Sequence, residues 1–468
     1  MKRLMKLRVA TIAALTLLLT SCMVGPNYTR PDVPTAPAYR GPDETAVSDA
    51  KSLADQKWFE VFKDPVLQQL IRTALKQNFD VRIAANRILQ QQEQVRITHS
   101  NQLPTVSGSP SVTGIRQPGV PGAFPSYAYV ADALNINASW NLDFWGRYRR
   151  ATEAARATLL ADVWAQRAVT DTLIDNLATA YFQLREYDLE LELSKQTLAT
   201  RKQSLQLTQT LEQGGNTSLV DVRQAEQLVE EAAEAIPLTE QNNQQEENQI
   251  SILIGENPHA IPRGQSLIEQ PDPDSVPAGL PSQLLERRPD IQEAEQTLVA
   301  ANANIGVARA QLFPQISLTG GIGLENIGAG NLFTWADRSY NWTAQATQPI
   351  FNGGSLRANV RLSEDQKQQA VLTYQQDIQQ AFRDVSNALI AYKKSREYRE
   401  HQELLTQATH ESSNLAQIRY KGGVTSYLEV LTNDTNYFSA ELALARARLN
   451  ERLSIVQLYN ALGGGWQQ

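Results

Sequence analysis

The sequence predicts a mainly α-helical chain in which long helical hairpins, duplicated in tandem, are combined with four strands of a membrane β-barrel. Three observations support this fold class. Landmarks in the first half return in the second half about 210 residues later, two segments of 67 residues contain neither Gly nor Pro, and short segments between them alternate apolar with polar residues. We therefore expect one structural module that is used twice.

The duplication is clearest in a five-residue segment that contains two glycines. Gly214-Gly215-Asn216-Thr217-Ser218 returns as Gly422-Gly423-Val424-Thr425-Ser426, at an offset of 208 residues. Arg185-Glu186-Tyr187 returns as Arg396-Glu397-Tyr398, at an offset of 211 residues. Landmarks that recur in the same order at a nearly constant offset indicate a tandem repeat.

Each copy contains a segment that we expect to form one very long helix. Arg147 to Gln213 and Ser355 to Lys421 are both 67 residues long, and good helix formers dominate both. At a rise of 1.5 Å per residue, such a helix is roughly 100 Å long. Leucines at strict seven-residue spacing in the first copy favour coiled-coil-like packing; they are Leu177, Leu184, Leu191, Leu198 and Leu205.

A second helical stretch of 39 residues follows each Gly pair, Asn216–Ile254 in the first copy and Val424–Leu462 in the second. Pro237 interrupts the first of these stretches. Because proline has no N–H to donate, it predicts a kink or a break between shorter helices. Each copy is thus a long helical hairpin that turns at its Gly pair.

Segments with a period of two lie between the helices and predict strands. From Leu134 to Asp143 and from Ile316 to Leu324, apolar residues alternate with small or polar ones. The partner strands are expected at Thr105–Arg116 and Asn341–Thr347. This alternation is typical of membrane β-barrel strands, and a soluble half-buried hairpin fits it equally well. Candidate interfacial aromatic residues are Tyr127, Tyr129, Trp140 and Trp342.

Closure of the barrel decides the oligomeric state. Lipid does not tolerate the open edge of a sheet, and four strands cannot close a barrel. The smallest bacterial barrels have about eight strands, and even numbers are the rule, so two chains would supply eight strands and three would supply twelve. We therefore expect an obligate oligomer in which each protomer contributes four strands.

The first 21 residues have the pattern of an export signal. Basic residues at positions 2, 3, 6 and 8 precede an apolar run from Val9 to Thr20 that is too short to span a membrane. Leu19-Thr20-Ser21-Cys22 resembles the bacterial lipobox, which implies cleavage before Cys22 and lipid attachment to it. Met23 rather than Asp follows, which by the same resemblance favours the outer membrane. A plain secretory signal with an incidental cysteine is the alternative.

Composition argues against several other classes of function. Cleavage removes four positive charges and no negative one, so the net charge changes from −7 to −11, which disfavours nucleic acid as a partner. One cysteine rules out an intrachain disulfide or a Cys-based zinc site, and the four histidines are widely spaced. The sequence contains no P-loop, G-x-S-x-G or H-E-x-x-H motif. We expect no enzyme activity and no cofactor, only the covalent lipid on Cys22.

Four short motifs carry a family resemblance. They are Cys22-Met23-Val24-Gly25-Pro26-Asn27-Tyr28, Gly279-Leu280-Pro281-Ser282, Leu285-Glu286-Arg287-Arg288-Pro289-Asp290-Ile291 and Ala461-Leu462-Gly463-Gly464-Gly465-Trp466. They resemble the TolC-like outer-membrane factors, in particular the lipoprotein branch that serves RND-type efflux pumps. The resemblance implies a homotrimer with a 12-stranded β-barrel in the outer membrane and a 12-helix α-barrel in the periplasm. It also implies a passive exit duct for small molecules that works with a periplasmic adaptor and an inner-membrane RND-type transporter.

The same resemblance implies a periplasmic gate at the Gly-Gly turns. Tyr420 and Leu428 match an aromatic and an apolar constriction position. Arg419 matches the arginine before that tyrosine, and Asp221 matches a position that bonds to the tyrosine. Glu429 matches the first acid of the family's Val-Asp-Val-Leu-Asp pattern, whereas Thr432 replaces the second acid.

A ring of three Glu429 carboxylates would favour cations. Mutual repulsion would raise the pKa of each carboxyl unless cations or Arg419 compensated. The gate residues also have a purely structural interpretation, since Ser426-x-x-Glu429 fits a capping box and Asp221 stands three residues after Ser218 at a helix N-terminus. We expect capping at both turns, with gating as an additional role.

The expected order of segments is a signal peptide (1–21), a lipid-anchored tether (22–64), a first repeat (65–256), a Pro-rich linker (257–289), a second repeat (290–462) and a C-terminal tail (463–468). Two other functions remain open, the outer-membrane duct of a type I protein secretion system and a pore-less coiled-coil scaffold that bridges the envelope. The lipobox and terminal motifs disfavour the first, and the strand pairs disfavour the second.

Overall fold

The computed structural model describes residues 23–34, 39–40, 52–119, 121–271, 279, 281–327 and 337–466. The export signal and Cys22 lie outside these residues. Within the described chain the elements are, in order, a 3₁₀ turn (Leu53–Asp55), helices α1 (Trp58–Val61), α2 (Pro65–Gln77) and α3 (Phe79–Ser100), strands β1 (Thr105–Gln117) and β2 (Tyr127–Leu142), helices α4 (Arg147–Gln213), α5 (Leu219–Leu253), α6 (Pro281–Arg287) and α7 (Pro289–Ala310), strands β3 (Gln315–Ile327) and β4 (Arg338–Thr347), and helices α8 (Ser355–Lys421) and α9 (Tyr427–Ala461).

The duplication is visible in the lengths of equivalent helices. α3 and α7 both have 22 residues, α4 and α8 both have 67, and α5 and α9 both have 35. The two 67-residue helices begin and end where the absence of Gly and Pro predicted. None of the helices among the described residues combines the length and apolarity that crossing a bilayer requires.

The break predicted at Pro237 does not occur, because α5 continues through this residue as one helix. Proline removes a single helical N–H, at a cost of about 3 kcal/mol. Buried residues precede and follow it on the same helix, Val229 and Ala232 before and Thr239 and Asn243 after. Tertiary packing on both sides of Pro237 therefore outweighs the local preference of proline. Of the two predicted outcomes, the break was wrong and the kink stays a prediction.

Both Gly-Gly turns end the preceding helix in the same way. The N–H of Asn216 donates to the carbonyl of Leu211 at 2.8 Å, and the N–H of Val424 donates to the carbonyl of Arg419 at 3.0 Å. In each turn the second glycine is left-handed, with φ of 74° at Gly215 and 70° at Gly423. These are Schellman motifs, in which only glycine adopts the left-handed position without steric cost, and they fix where each hairpin turns.

The strands form one antiparallel sheet in the order β1-β2-β3-β4. Its register places Leu134 opposite Leu324 and Ile136 opposite Ile322. Because side chains alternate across a strand, these residues share one face, while Asn135 and Asn137 lie on the other. The sheet therefore has an apolar face and a polar face, as the period-two pattern predicted.

The register corrects part of the aromatic prediction. Trp140 pairs with Leu318 and lies on the apolar face, and Trp342 lies on the same face. Tyr127 and Tyr129 instead lie on the polar face, where their rings stack with centroids 6.0 Å apart. The sequence identified all four aromatic residues as candidates, but only the strand register shows whether each lies on the apolar or the polar face of the sheet.

The described chain divides into two compact units. Apart from gaps in the described chain, one unit comprises residues 23–32, 87–163 and 293–375 and contains the sheet. The other comprises residues 33–34, 39–40, 52–86, 164–292 and 376–466 and contains both Gly-Gly turns.

A buried carboxylate, Asp64, organises part of the second unit. It caps α2 and accepts hydrogen bonds from Tyr181 at 2.8 Å, from the backbone of Gln265 at 3.0 Å and from Gln270 at 2.7 Å. The Pro-rich linker is thereby fastened to the helices.

Candidate functional site

The first Gly-Gly turn is organised around Asp221 in the first turn of α5. Its Oδ2 atom accepts hydrogen bonds from the hydroxyl of Thr217 at 2.5 Å, from the hydroxyl of Ser218 at 2.9 Å and from the N–H of Ser218 at 3.0 Å. The N–H of Asp221 donates in return to Ser218 at 3.4 Å. The capping box predicted at this turn is confirmed.

These hydrogen bonds set the charge state of Asp221. Its partial burial alone would raise the pKa, but the donors on Thr217 and Ser218 outweigh burial and hold the pKa of Asp221 below its ordinary value. The carboxylate is therefore ionised at neutral pH. Its negative charge lies at the positive end of the α5 helix dipole, which stabilises it further.

Tyr420, at the end of α8, connects the second hairpin to the first turn. Its hydroxyl lies 3.3 Å from the hydroxyl of Thr217. Tyr420 thus contacts the threonine that donates to Asp221, rather than the carboxylate itself. The family resemblance implied a direct hydrogen bond between Tyr420 and Asp221, whereas in the structure Thr217 lies between them and contacts both.

An apolar cluster lies directly behind this contact; we call it the turn cluster. The turn cluster consists of Ala225, Leu228, Ala416, Tyr427 and Val430. The ring of Tyr420 packs on it, edge-on to the ring of Tyr427 with centroids 5.2 Å apart. Leu205 of the heptad series also packs against this cluster. The two hairpins therefore meet here through apolar contacts and one hydrogen bond between side chains.

The second Gly-Gly turn places Glu429 between Thr425 and Arg419. The hydroxyl of Thr425 donates to the Glu429 carboxylate, and the Arg419 guanidinium lies 3.4 Å from it. The Ser426 side chain makes no capping hydrogen bond, so the capping box predicted for Ser426 and Glu429 is wrong. The Glu429 carboxylate, which would have taken part in the capping box, is in contact with Thr425 and Arg419 instead. Arg419 thus lies where it compensates the charge of Glu429, as the sequence suggested.

Leu428 and Thr432 differ in how they are placed. The Leu428 side chain is 56% exposed at the start of α9, so it is available to a constriction. The Thr432 hydroxyl donates to the carbonyl of Leu428 at 2.9 Å and stays on its own helix. Asp434, the nearby acid, accepts hydrogen bonds from Ser413 and Gln417 of α8. Asp434 therefore joins α8 to α9 within the protomer and does not replace the missing second acid.

Thr217 and Tyr427 are two residues of this site that the sequence did not single out. The repeat offers a signal for the first, because Thr217 and Thr425 stand at the same offset of 208 as Asp221 and Glu429. Each threonine donates to the acid four residues later. The role of Tyr427 had no such signal, since only the fold shows that its ring is buried in the turn cluster.

The described residues of this site interact through charges, hydrogen bonds and apolar contacts. In the described part of the chain, no three His, Cys, Asp or Glu side chains are grouped so that they could hold a metal ion. At the Gly-Gly turns, the hairpins are joined by the hydrogen bond between Tyr420 and Thr217 and by the turn cluster. Farther along the helices, Arg446 of α9 forms an ion pair with Glu190 of α4 at 3.2 Å. The site is suited to holding two helical hairpins together reversibly.

Comparisons with known proteins agree over nearly the whole chain. A family model described as outer membrane efflux protein matches residues 70–256 and 280–464. The toluene efflux pump outer membrane protein TtgC of Pseudomonas putida is 37% identical over 98% of this chain and 96% of its own. The cation efflux system protein CusC of Escherichia coli is 32% identical over 96% of this chain and 97% of its own. The crystal structure of the open state of the Neisseria gonorrhoeae MtrE outer membrane channel matches with a TM-score of 0.86 at 31% identity, covering 95% of this chain and 99% of that one.

Proposed function

Because the chain belongs to the outer membrane efflux protein family, we propose that it is the passive outer-membrane exit duct of a tripartite efflux pump. The observation that carries this function is the combination of a two-faced, four-stranded sheet with two hairpins of 67- and 35-residue helices in one chain. A scaffold without a pore has no use for such a sheet. The names of the relatives refer to efflux, which favours this function over type I protein secretion.

The sheet explains why a single copy is incomplete. β1 and β4 are its edge strands, and each leaves a row of backbone N–H and C=O groups without a neighbour in the sheet. In lipid such edges must be paired, so β4 of one copy has to meet β1 of the next. We propose a homotrimer, because three copies of four strands give a barrel of twelve and the resemblance to TolC-like factors favours three copies over two.

The segment that follows Cys22 supports a lipid anchor at the outer membrane. The N–H of Val24 donates to the carbonyl of Trp145, just after β2, at 3.2 Å. The buried Arg150 donates to Asn27 at 2.8 Å. Gly25 has a φ of 105° and lies so close to Gly306 that a Cβ atom would stand 2.5 Å from the Gly306 Cα. Residues 23–27 are thus held beside the strand end, where a lipid on Cys22 reaches the membrane surface.

The same chain segment is fastened further along by charged and polar side chains. Arg30 forms an ion pair with Glu295 at 2.7 Å and donates to the hydroxyl of Tyr374 at 3.2 Å. Tyr28 donates to Glu295 at 3.1 Å. The segment that begins directly after Cys22 is therefore held in place, so a lipid on that cysteine would have a fixed position.

The duct itself supplies no energy and performs no reaction. We propose that an inner-membrane RND-type transporter drives export and that a periplasmic adaptor joins it to this protein. The relatives TtgC and CusC are named for toluene and for cations, although their sequences resemble this chain to a similar degree. Ducts of one architecture therefore serve cargo of unlike chemistry, which indicates that the transporter selects the cargo. The lipid on Cys22 is the only attached group that this function needs.

We further propose that the contacts at the Gly-Gly turns form the periplasmic gate. Asp221, Thr217 and Tyr420 would hold the two hairpins together in the closed state, and Glu429 with Arg419 would set the charge at the constriction. The relative MtrE has a structure described as an open state, so channels of this family open. Opening would break the hydrogen bond between Tyr420 and Thr217 and displace the turn cluster.

Conductance in planar lipid bilayers tests the proposed function. The purified, lipidated protein is expected to form channels whose open probability rises when Tyr420 or Glu429 is replaced by Ala. Heat-resistant trimers on a semi-native gel would confirm that each variant is assembled. Assembled protein that never conducts, with and without these substitutions, would contradict the duct.

A further inference from the structure

A groove crosses the apolar face of the sheet between β2, β3 and β4. It has a volume of 610 Å³ and an open mouth. Its floor is formed by four aliphatic side chains, Leu134, Ile136, Ile322 and Leu324, and Arg338 and Tyr340 stand along one side. Ile322 is 63% exposed and Tyr340 is 82% exposed, so the groove leaves apolar surface uncovered within the protomer.

Charge on this face of the sheet is confined to one end. In the described strands, the register assigns three charged residues to the apolar face, Arg116, Asp132 and Arg338. All three lie in the part of the sheet that is nearer the β1–β2 and β3–β4 connections. The opposite part of the face, where the strands lead to and from helices, contains residues such as Ile316 and Ala346 and no charge.

Arg338 is the charged residue of the groove. It pairs with Leu324 in the register, next to the pair of Tyr340 and Ile322. Asp132 lies on β2 two residues before Leu134, opposite Asn326, and β3 lies between it and Arg338. The groove therefore presents an apolar floor with a guanidinium at its hairpin end.

The proposed function fixes which leaflet this end meets, and the inference rests on it. Since the helices extend into the periplasm, the strand ends that join helices lie at the inner leaflet. The hairpin connections and Arg338 then lie at the outer leaflet. In the outer membrane that leaflet is made of lipopolysaccharide, whose phosphates sit directly above several acyl chains.

We propose that this groove binds a molecule of lipopolysaccharide, with acyl chains on the aliphatic floor and a phosphate against Arg338. Arginine suits this role because its planar guanidinium donates two hydrogen bonds to one phosphate. The exposed ring of Tyr340, beside the arginine, belongs to the residue types that favour the headgroup level. The barrel would thereby carry one glycolipid site in each protomer.

Lipid binding to reconstituted trimers tests this proposal. The full-length lipidated protein is placed in phosphatidylcholine nanodiscs and titrated with purified lipopolysaccharide or, separately, with phosphatidylglycerol, and bound lipid per trimer is counted by native mass spectrometry. The variants are Arg338→Gln, Arg338→Lys and the control Arg361→Gln, which removes an exposed arginine from α8. A semi-native gel checks that every variant is trimeric.

We expect lipopolysaccharide to bind the wild type more tightly than phosphatidylglycerol does. Arg338→Gln should weaken its binding about fivefold, the effect of losing one arginine near an anionic lipid surface. Arg338→Lys should recover part of the loss, and Arg361→Gln should bind like the wild type. Equal affinity of the wild type and Arg338→Gln would overturn the proposal, as would equal binding of the two lipids. Conductance of the wild type is scored separately, so failure of the duct and failure of the lipid site are told apart.

Discussion

Replacement of Asp221 by Ala tests the contact between the two hairpins. The substitution removes the carboxylate that orients the hydroxyl of Thr217, which in turn contacts Tyr420. It also removes the capping box at the start of α5. These two losses have different consequences, because only the first concerns a contact between hairpins.

The structure allows the two effects to be separated in magnitude. The capping box lies within one turn of α5, so we expect it to persist when the proposed gate opens, and its loss should lower overall stability by about 1 kcal/mol without changing the open population. The hydrogen bond between Thr217 and Tyr420 exists only when the hairpins are together, and it is worth about 1 kcal/mol. A difference of 1.4 kcal/mol is a factor of about ten, so the open population should rise about fivefold.

Single-channel recording in planar bilayers measures the open probability directly. The matched control is Glu230→Ala, which removes an exposed acid further along the same helix. Asp221→Ala and Tyr420→Phe act through the same threonine, so their effects should not add in the double variant. Additive effects, or an open probability equal to that of the control, would refute the reasoning.

Four further outcomes follow from the same contacts. Because the pKa of Asp221 is held below its ordinary 3.8, the contribution of its cap to the stability of the fold is complete above that value and is lost as pH falls through the lowered pKa, so thermal unfolding should show less effect of Asp221→Ala at about pH 3 than at about pH 7. Arg419→Ala should change gating by less than about 1 kcal/mol, and less still in high salt, because its pair with Glu429 is largely exposed; recordings at two ionic strengths check this. Asp64→Ala should lower the stability of the fold by about 3 kcal/mol, seen as a lower dissociation temperature of the trimer, since several buried donors lose their acceptor. Burial and a neighbouring carboxyl raise the pKa of Glu186, so the wild type should lose stability as pH rises above the ordinary 4.5, and Glu186→Gln should flatten this dependence in thermal unfolding.

The long helices could be predicted because their signal is simple. A stretch of 67 residues without Gly or Pro has no residue that ends a helix, and the glycines that do end it are the ones with left-handed backbone. The strands were predictable for a similar reason, since a sheet with two different faces needs a period of two. In both cases the information lies in consecutive residues.

Contacts between distant segments were harder to predict. The continuity of α5 through Pro237 depends on packing along the helix, and Asn243, a buried residue beyond the proline, donates a hydrogen bond to Asp188, which is 55 residues away in the sequence. The capping box predicted at Ser426 did not form, and the Glu429 carboxylate is instead in contact with Thr425 and Arg419. A local motif shows which hydrogen bonds are possible, whereas the tertiary fold determines which of them form.

The duplication explains how the proposed gate can be specific although the backbones of its two turns match. Both turns have the same length, the same Schellman motif and the same threonine donating to an acid four residues later. The residue that matches Tyr420 at the offset of 208 is Glu212, so the first turn has no aromatic hydroxyl to offer the second. The hydrogen bond between the turns therefore joins Tyr420 of the second hairpin to Thr217 of the first, and it has no counterpart in the opposite direction. Behind it lies an apolar cluster, whose attraction is not directional and permits sliding. Separation of the hairpins at the turns thus breaks one hydrogen bond there, and the capping box of Asp221 lies within a single hairpin and need not break. This is what the proposed gate requires if it is to open repeatedly without unfolding.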